Sequence, residues 1–470
     1  MHYGRPLLCL TAAIAALYWA LPAAAQTAAN DQAPIPTGLW ERPNLLGDIG
    51  GLRPELQNVG VTFDLQEISE VLGNVTGGVH TGADYDGLTA ATLSLDTGKA
   101  FGWSGGTFNV SALQIHGRSL SADNLHTLQT ASGIEADRAT RLWELWYQQA
   151  FWGGKADVKL GQQSADQEFI ISQYAGLFVN TMMGWPMLPS ADLYAGGPAY
   201  PLSSPAVRLR VHPNDALTAL LAVFDDNPPG GPFNDDSQLR SAEASGTQFN
   251  MNTGALWIGE LQYAVNQPPA KDCGTVVCGL AGTYKLGGWY DTGRFPDQRF
   301  DTNGVSLASP ASNGNSLLHH GNFSLYGVID QMVWRQPDGP RSVGVFARAM
   351  GAPDDRNLID ASLNAGVSMK APFAGRDNDT VGIGYGWAHV SGQASALDQD
   401  TAHFTGTVFP VRSAEHFIEA TYQYQIAPWW QLQPDFQYVV NPGGGIQNPQ
   451  HTSEIVGDEA VFGLRTTITF

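Results

Sequence analysis

"VFGLRTTITF", Val461–Phe470, closes the chain and alternates between apolar and polar side chains. With the two-residue period of an extended strand, Leu464 and Phe470 lie on one face, while Arg465 and Thr467 lie on the other. We expect the apolar face to contact lipid, because lipid admits only helices or closed barrels. We also expect this last strand to pair with the first strand and so to close a barrel.

The same period recurs through the chain in segments of about ten residues, separated by clusters of Gly, Asn, Asp and Pro. It is clearest in "IDASLNAGVSMK" (residues 359–370) and in "EHFIEATYQYQI" (residues 415–426). From "VTFDLQ" at residue 61 to the end we count about sixteen segments, and an even count is what a closed antiparallel barrel requires. The alternation changes phase near Ile68 and Leu113, which predicts β-bulges there.

Two-faced strands also occur in soluble β-sandwiches, so further features have to decide for a membrane barrel. The segments match tilted membrane strands, which need about 9 to 11 residues. Terse connections such as "HPND" (residues 212–215) alternate with long ones such as residues 225–254, as periplasmic turns and external loops do. Aromatic residues recur at strand ends, where interfacial girdles lie. They are Trp143, Trp152, Trp257, Tyr263, Trp289, Trp334, Trp429 and Trp430.

Composition agrees with an all-β chain, since 54 Gly and 10% aromatic residues favour strands and turns over helices. The net charge is -20, which argues against nucleic acid as a partner because nucleic acid selects basic surfaces. Two cysteines outside the N-terminal region, Cys273 and Cys278, predict a local disulfide in an exported chain. No further Cys or His lies near them to complete a metal site.

The N-terminus has the layout of a secretory signal peptide. Arg5 is the only charged residue of the first 25, an apolar stretch follows over residues 7–21, and "AAA" precedes the expected cleavage before Gln26. A transmembrane anchor would need about 20 apolar residues. We therefore predict a signal peptide over residues 1–25 and an N-terminal periplasmic segment, with a short helix at Pro54–Asn58, over residues 26–60. The transmembrane barrel would occupy residues 61–470.

From about Leu45 to Phe470 the sequence resembles the OprB family of carbohydrate-selective outer-membrane porins. The resemblance is carried by "LLGDIGGLRPELQNVGVTF" (residues 45–63), "LWELWYQQAFWGGKADVKLGQQSADQEF" (residues 142–169), "FIEATYQYQIAPWWQLQPDFQYVVNPGGG" (residues 417–445) and the terminal strand. It implies a sixteen-stranded porin that admits glucose and related monosaccharides by passive diffusion. The terminal aromatic residue also resembles the signal through which outer-membrane proteins engage the barrel assembly machinery. Outer-membrane lipid and lipopolysaccharide would surround such a barrel.

The polar faces of the strands predict the lining of the pore. Sugars are neutral polyols, so side chains that donate and accept hydrogen bonds can replace their water. A mixture of both charges also avoids a single-sign ring that would select ions. Arg208 and Arg210 are the strongest candidates, because they directly follow a long segment without alternation. The candidate pore residues are Arg208, Arg210, Glu144, Lys159, Trp185, Glu260, Glu419, Gln423, Asp435, Gln437 and Arg348.

That long segment, Ser164–Ser204, is predicted to fold into the barrel mouth as a constriction loop. Its aromatic residues Trp185, Phe178 and Tyr174 could stack on the apolar face of a sugar ring. The alternative for each of them is packing of the loop against the wall, which is the commoner use of aromatic side chains. For the charged pore residues, solvation of a wet lumen is the alternative to direct contact with sugar.

Other functions were weighed against a sugar porin. The sequence contains neither an H-E-x-x-H motif nor a P-loop, so an outer-membrane hydrolase is not favoured and no cofactor or metal is expected. A general or cation-preferring diffusion porin remains open, as does a barrel-type or soluble sugar-binding protein. The sequence does not distinguish a monomer from a trimer.

Overall fold

A computed structural model describes residues 38–230, 244–267, 279–337 and 339–470. Sixteen antiparallel strands form one closed barrel in which each strand pairs with its neighbours in the sequence and β1 pairs with β16. The predicted fold class and strand number are therefore confirmed. The strands are β1 Val61–Gly78, β2 Gly82–Asp96, β3 Gly106–Gly117, β4 Ala139–Phe151, β5 Ala156–Gln163, β6 Ser204–Asn214, β7 Leu217–Asp225, β8 Ala255–Val265, β9 Gly282–Asp301, β10 Ser316–Arg335, β11 Ser342–Gly351, β12 Ile359–Lys370, β13 Thr380–Val390, β14 Ala414–Ala427, β15 Trp430–Val440 and β16 Gly457–Thr469.

Burial follows the alternation read from the sequence. On β14, Ile418 is 50% exposed, whereas its neighbours Phe417 and Glu419 are completely buried. Large apolar side chains such as Leu286 and Leu325 are exposed on the same outer surface of the wall. In water such a surface would be unfavourable, but in lipid it is the face that the hydrocarbon covers. The polar positions of the strands consequently point into the barrel.

The seam between β1 and β16 is the closure that the last ten residues predict. Gln66 pairs with Thr469, and Glu70 pairs with Arg465. Arg465 Nε donates to Glu70 Oε2 at 2.7 Å, so an ion pair joins the first and last strands on the inner face.

Five α-helices accompany the strands in the described residues: α1 Leu52–Asn58, α2 Thr97–Phe101, α3 Thr181–Gly184, α4 Met187–Asp192 and α5 Gly392–Thr405. The predicted N-terminal helix is present as α1. The sequence analysis missed α5, which Ser391 caps by accepting a hydrogen bond from Ala394 N, and which ends at Gly406 with a φ of 64°. None of the described helices is long and apolar enough to cross a membrane.

Connections differ in length between the two ends of the barrel. Residues 215 and 216 alone join β6 to β7, whereas residues 226–254 join β7 to β8, as the sequence predicted. Cys273 and Cys278, together with the predicted signal peptide, lie outside the described residues. The proposed disulfide therefore stays a prediction.

The two predicted bulges have different outcomes. A register shift lies between Ser111 and Ala112, close to Leu113, where β3 pairs with β4. Around Ile68 the pairing of β1 with β2 is unbroken, so the bulge predicted there is wrong. Ile68 is an inward-facing apolar residue that packs with Leu88, Leu113 and the loop residue Ile134. The phase change arises because part of the inner wall is covered by protein rather than water.

Two of the expected girdle aromatics lie inside the barrel, and a third, Trp429, is buried against Trp40. Trp152 is 80% exposed, and Trp257 and Trp334 lie on the outer surface. Trp143 and Trp289 are buried, so they do not belong to an interfacial girdle. Each packs in a core cluster inside the barrel, where an indole ring fills space between the wall and the enclosed loops.

Candidate functional site

Two connections fold into the barrel and occupy its interior. The short inner loop (residues 118–138) joins β3 to β4, and the long inner loop (residues 164–203) joins β5 to β6. The long inner loop contacts inward-facing side chains of β8, β10, β11, β14 and β15, which belong to the wall across the barrel. A loop that reaches those strands from β5 must cross the lumen. The predicted constriction loop is therefore folded inward.

Wall carboxylates hold the backbone of the long inner loop. Glu260 accepts a hydrogen bond from Ile170 N at 2.8 Å. Asp330 accepts from Gln173 N at 3.0 Å and from the Ser172 hydroxyl at 2.6 Å. A carboxylate has several lone-pair sites, so one side chain satisfies several buried donors that would otherwise be costly. These two acids fix the first part of the loop on β8 and β10.

Arg348 on β11 holds the same loop through its carbonyl groups. Its guanidinium donates to Ile170 O at 2.9 Å, to Gly184 O at 2.8 Å and to Met182 O at 2.5 Å. The side chain is 1% exposed. Arg348 lies between the wall and the loop rather than in open water.

The short inner loop is held in a similar way. Glu415 accepts hydrogen bonds from Leu128 N and Gln129 N, both at 2.7 Å. On the opposite side, Arg465 Nη2 donates to the Ser132 hydroxyl at 3.1 Å, and that hydroxyl donates to Glu70. The ion pair of the barrel seam thus also binds this loop.

A cluster of charged side chains lies where β5 and β6 meet the long inner loop. Arg208 contacts Asp157 and donates from Nη2 to Glu168 Oε1 at 3.1 Å. Arg210 Nε donates to Asp157 Oδ2 at 2.8 Å, and Lys159 contacts Glu168. The five side chains are three cations and two carboxylates, so the cluster carries one excess positive charge. This sign is opposite to that of the whole chain.

Glu168 is charged at neutral pH. Burial alone would raise the pKa of its carboxyl, but the nearby Lys159 and Arg208 lower it to about 2. Because the carboxylate stays ionised, it holds both cations against the long inner loop. The cluster is therefore a fixed arrangement of charges rather than a set of independent side chains.

Exposure distinguishes the two predicted arginines. The side chain of Arg208 is 1% exposed and that of Arg210 is 16% exposed. Arg208 is enclosed by Asp157, Glu168 and Gln148, whose Oε1 accepts from Arg208 Nη2 at 3.0 Å. Arg210 is thus the member of the pair that a solute in the lumen could reach.

The remaining predicted residues are mostly buried on the inner face. Glu144 accepts from Ser164 N at 3.1 Å, and Asp435 accepts from Gln437 Nε2 at 2.9 Å. Trp185 donates from its indole to Gly196 O at 2.9 Å within the long inner loop, and its ring packs in the core. Gln423 on β14 is also buried. Burial places these groups between wall and loops.

Sequence reasoning missed several residues that hold the loops. Glu168 lies inside the predicted constriction loop but was not among the candidates, although it is the acid that joins Lys159 and Arg208. Asp330 and Glu415 were missed as well. Asp330 has the inward parity of its strand, which could have found it, but parity does not reveal that an acid binds a loop backbone.

In the described part of the chain, no group of three or more His, Cys, Asp or Glu side chains is arranged to hold a metal ion. His319, which belongs to the sequence pair His319-His320, instead contacts Asp297 at 2.8 Å through Nε2.

Comparison with known proteins gives consistent matches. The family model described as carbohydrate-selective porin, OprB family, matches residues 80–470. Porin B of Pseudomonas aeruginosa is 25% identical over 429 residues, which cover 87% of this chain and 88% of that protein. A putative porin, QuiX, of Acinetobacter baylyi is 23% identical over 88% of this chain and 92% of its own length.

Among solved structures, the high-pH structure of OprB from Pseudomonas putida superposes with a TM-score of 0.78. The two chains are 24% identical, and the match covers 92% of this chain and 99% of the other. The low-pH structure of OprB from the same organism gives a TM-score of 0.56 at 19% identity. These structures support the sixteen-stranded barrel fold.

Proposed function

Since this chain belongs to the OprB family of carbohydrate-selective porins, we propose that it admits glucose-like monosaccharides across the outer membrane by passive diffusion and that Arg210 contacts them. The family and the barrel support an outer-membrane channel. The observation that carries the residue assignment is the partial exposure of Arg210 within an otherwise buried charge cluster. Arg208, Lys159, Asp157 and Glu168 would hold it in place.

The chemistry of the cluster suits a neutral polyol. Arg210 donates from Nε to Asp157, and its other guanidinium donors are available to sugar hydroxyls. Carboxylates and amides nearby can accept hydrogen bonds from the same hydroxyls. A site that replaces only part of the hydration shell binds weakly, and weak binding lets the sugar leave as well as enter.

The same cluster argues against a cation-preferring pore. The chain as a whole is acidic, which would attract cations to its surface. Around Lys159, Arg208 and Arg210, however, the ion-paired groups carry an excess of positive charge. A small cation would have to pass this region against repulsion, whereas a neutral sugar would not.

Liposome swelling with the refolded chain tests the proposal. We expect glucose uptake to be faster than uptake of an amino acid or a small organic anion of similar size, and to saturate. Arg210→Ala should raise the glucose concentration that half-saturates uptake by about tenfold, because one hydrogen bond to a charged group contributes about 1.5 kcal/mol. Lys155→Ala, an exposed cation in the turn between β4 and β5, is the matched control. Equal rates for all solutes of one size would leave only a general diffusion porin.

The context of the channel completes the proposal. The signal peptide of residues 1–25 would be removed on export, leaving the N-terminal segment of residues 26–60 in the periplasm. The barrel assembly machinery would recognise the terminal strand, and lipid and lipopolysaccharide would cover the outer face. Protein sequencing of the N-terminus from isolated outer membranes should begin at Gln26.

A further inference from the structure

Glu419 and Gln437 face each other across β14 and β15 and are both completely buried on the inner face. Glu419 accepts hydrogen bonds from Val179 N at 2.5 Å and from Asn180 N at 3.2 Å. Gln437 accepts from Asn180 Nδ2 at 3.0 Å and donates to Ala131 O at 2.7 Å. This cross-strand pair therefore binds the long inner loop and the short inner loop together.

The two loops also contact each other directly above this pair. Thr181 N donates to Thr130 O at 3.1 Å, and Gly133 N donates to Val179 O at 2.9 Å. Asn180 Nδ2 reaches Gln129 O at 3.4 Å as well. Each contact orders one loop against the other, and the wall pair connects their junction to the barrel at Val179, Asn180 and Ala131.

The chemical types of the two side chains match what the loops present. The carboxyl oxygens of Glu419 meet two backbone donors. Gln437 has one acceptor and one donor group, and it meets the Asn180 amide and the Ala131 carbonyl. If the two residues were exchanged, a carboxylate would replace the Gln437 amide that donates to the Ala131 carbonyl. Two acceptors would then face each other.

We propose that Glu419 and Gln437 are positioning residues that set the size limit of the solute path by fixing the junction of the two inner loops on the wall. The inference rests on the proposed sugar permeation and adds which residues define its size discrimination. Neither side chain has to touch the sugar. Their effect reaches it through the position of the loops.

The barrel offers a matched control pair on the same two strands. Gln425 and Gln431 are also cross-strand partners, and Gln431 Nε2 donates to Gln425 Oε1 at 2.8 Å. Their side-chain hydrogen bonds go to each other and to the carbonyl groups of Ala427 and Trp430 at the strand ends rather than to an inner loop. A change there perturbs the inner wall without releasing the junction.

The test compares swelling rates of liposomes in glucose and in sucrose. For Gln437→Leu and for Glu419→Gln we expect the sucrose-to-glucose ratio to rise several-fold, while Gln431→Leu leaves it unchanged. Glu419→Asp keeps the carboxylate and should bring the ratio back towards that of the unchanged chain. Folding is checked by the heat-dependent shift of the barrel in electrophoresis. An unchanged ratio in both folded anchor variants would overturn the proposal.

A second measurement does not depend on the folding of Gln437→Leu or Glu419→Gln. In the unchanged chain, hydrogen exchange at the Val179 and Asn180 amides should be as slow as exchange in the strands of the wall. Fast exchange at both amides would overturn the anchoring. Failure of the proposed function is distinguishable, because it would appear as equal swelling in glucose and in an amino acid of similar size with the unchanged chain.

Discussion

Arg208 Nη2 donates to Glu168 Oε1 at 3.1 Å, and this contact ties strand β6 to the long inner loop. Glu168 also contacts Lys159, so a single carboxylate from the loop balances two cations of the wall. The relationship makes the loop a source of charge for the pore as well as a steric element.

Replacing that carboxylate should change ion selectivity. Glu168→Gln raises the excess positive charge of the cluster by one unit, and an ion about 7 Å away in water would gain or lose about 0.6 kcal/mol. Because chloride gains and potassium loses this energy, we expect the permeability ratio of chloride to potassium to rise roughly eightfold, measured as the reversal potential across a planar bilayer in a KCl gradient. Glu55→Gln on the exposed face of α1 should leave the potential unchanged. A shift towards potassium would contradict the charge assignment.

Glu135 makes the short inner loop sensitive to pH. Burial raises the pKa of this carboxyl from 4.5 to about 7, despite hydrogen bonds from Ser119 and Ser121 that lower it. Because the folded-state pKa lies above the unfolded value, its contribution to stability is complete below pH 4.5 and is lost as the pH rises through 7. We expect part of the fall in thermal midpoint between pH 5 and pH 8 to disappear in Glu135→Gln. An equal decrease in thermal midpoint in Glu135→Gln and in the unchanged chain would contradict this role of Glu135.

Arg53 should stabilise the seam of the barrel. Its guanidinium donates to Phe63 O at 2.8 Å and to the carbonyl of Phe470, the last residue of the chain. Arg53→Ala removes both contacts and should lower the free energy of unfolding by about 1–3 kcal/mol. Thermal unfolding in detergent measures the loss, with Glu55→Ala on the same helix as the control. Equal stability of the two variants would show that the hydrogen bonds of Arg53 do not stabilise the barrel.

Gly161 on β5 is required by backbone geometry. Its φ is 129°, and a Cβ atom there would lie 2.3 Å from Leu145 O on the neighbouring strand. Gly161→Ala should therefore reduce the yield of folded barrel on refolding, since neither the strand nor the carbonyl can give way without breaking their pairing. Gly259→Ala is the comparison, because nothing lies nearer than 3.8 Å to its added Cβ. Equal yields for both variants would contradict this reading of the β4–β5 pairing.

The strands were predictable because lipid imposes a strict pattern on them. Most outer positions are apolar, so the alternation in β12 and β14 is clear from the sequence alone. The inner face obeys no such rule. Ile68 and Leu72 point inward because enclosed loops cover them, and that covering depends on contacts between residues far apart in the chain.

For the candidate site, the sequence predicts which strand side chains face inward, but it does not predict their contacts. Parity places Arg348 and Glu419 on the inner face, but it does not show that their polar atoms are used by loop backbone groups. Arg210 and Arg348 look alike in the sequence, yet one is partly exposed and the other is enclosed. The difference arises from the path of the long inner loop, which no local pattern specifies.

The positions of Glu415 and Glu419 in the sequence also determine when the inner loops can bind the wall during synthesis. Val179 and Glu419 are 240 positions apart, and Leu128 and Glu415 are 287 positions apart. Both inner loops are therefore synthesised long before the strands that bind them. A chain that stops short of β14 would contain both loops and the acceptors Glu260 and Asp330, but it would lack Glu415 and Glu419. The set of contacts that holds the two inner loops consequently becomes complete only with the final strands.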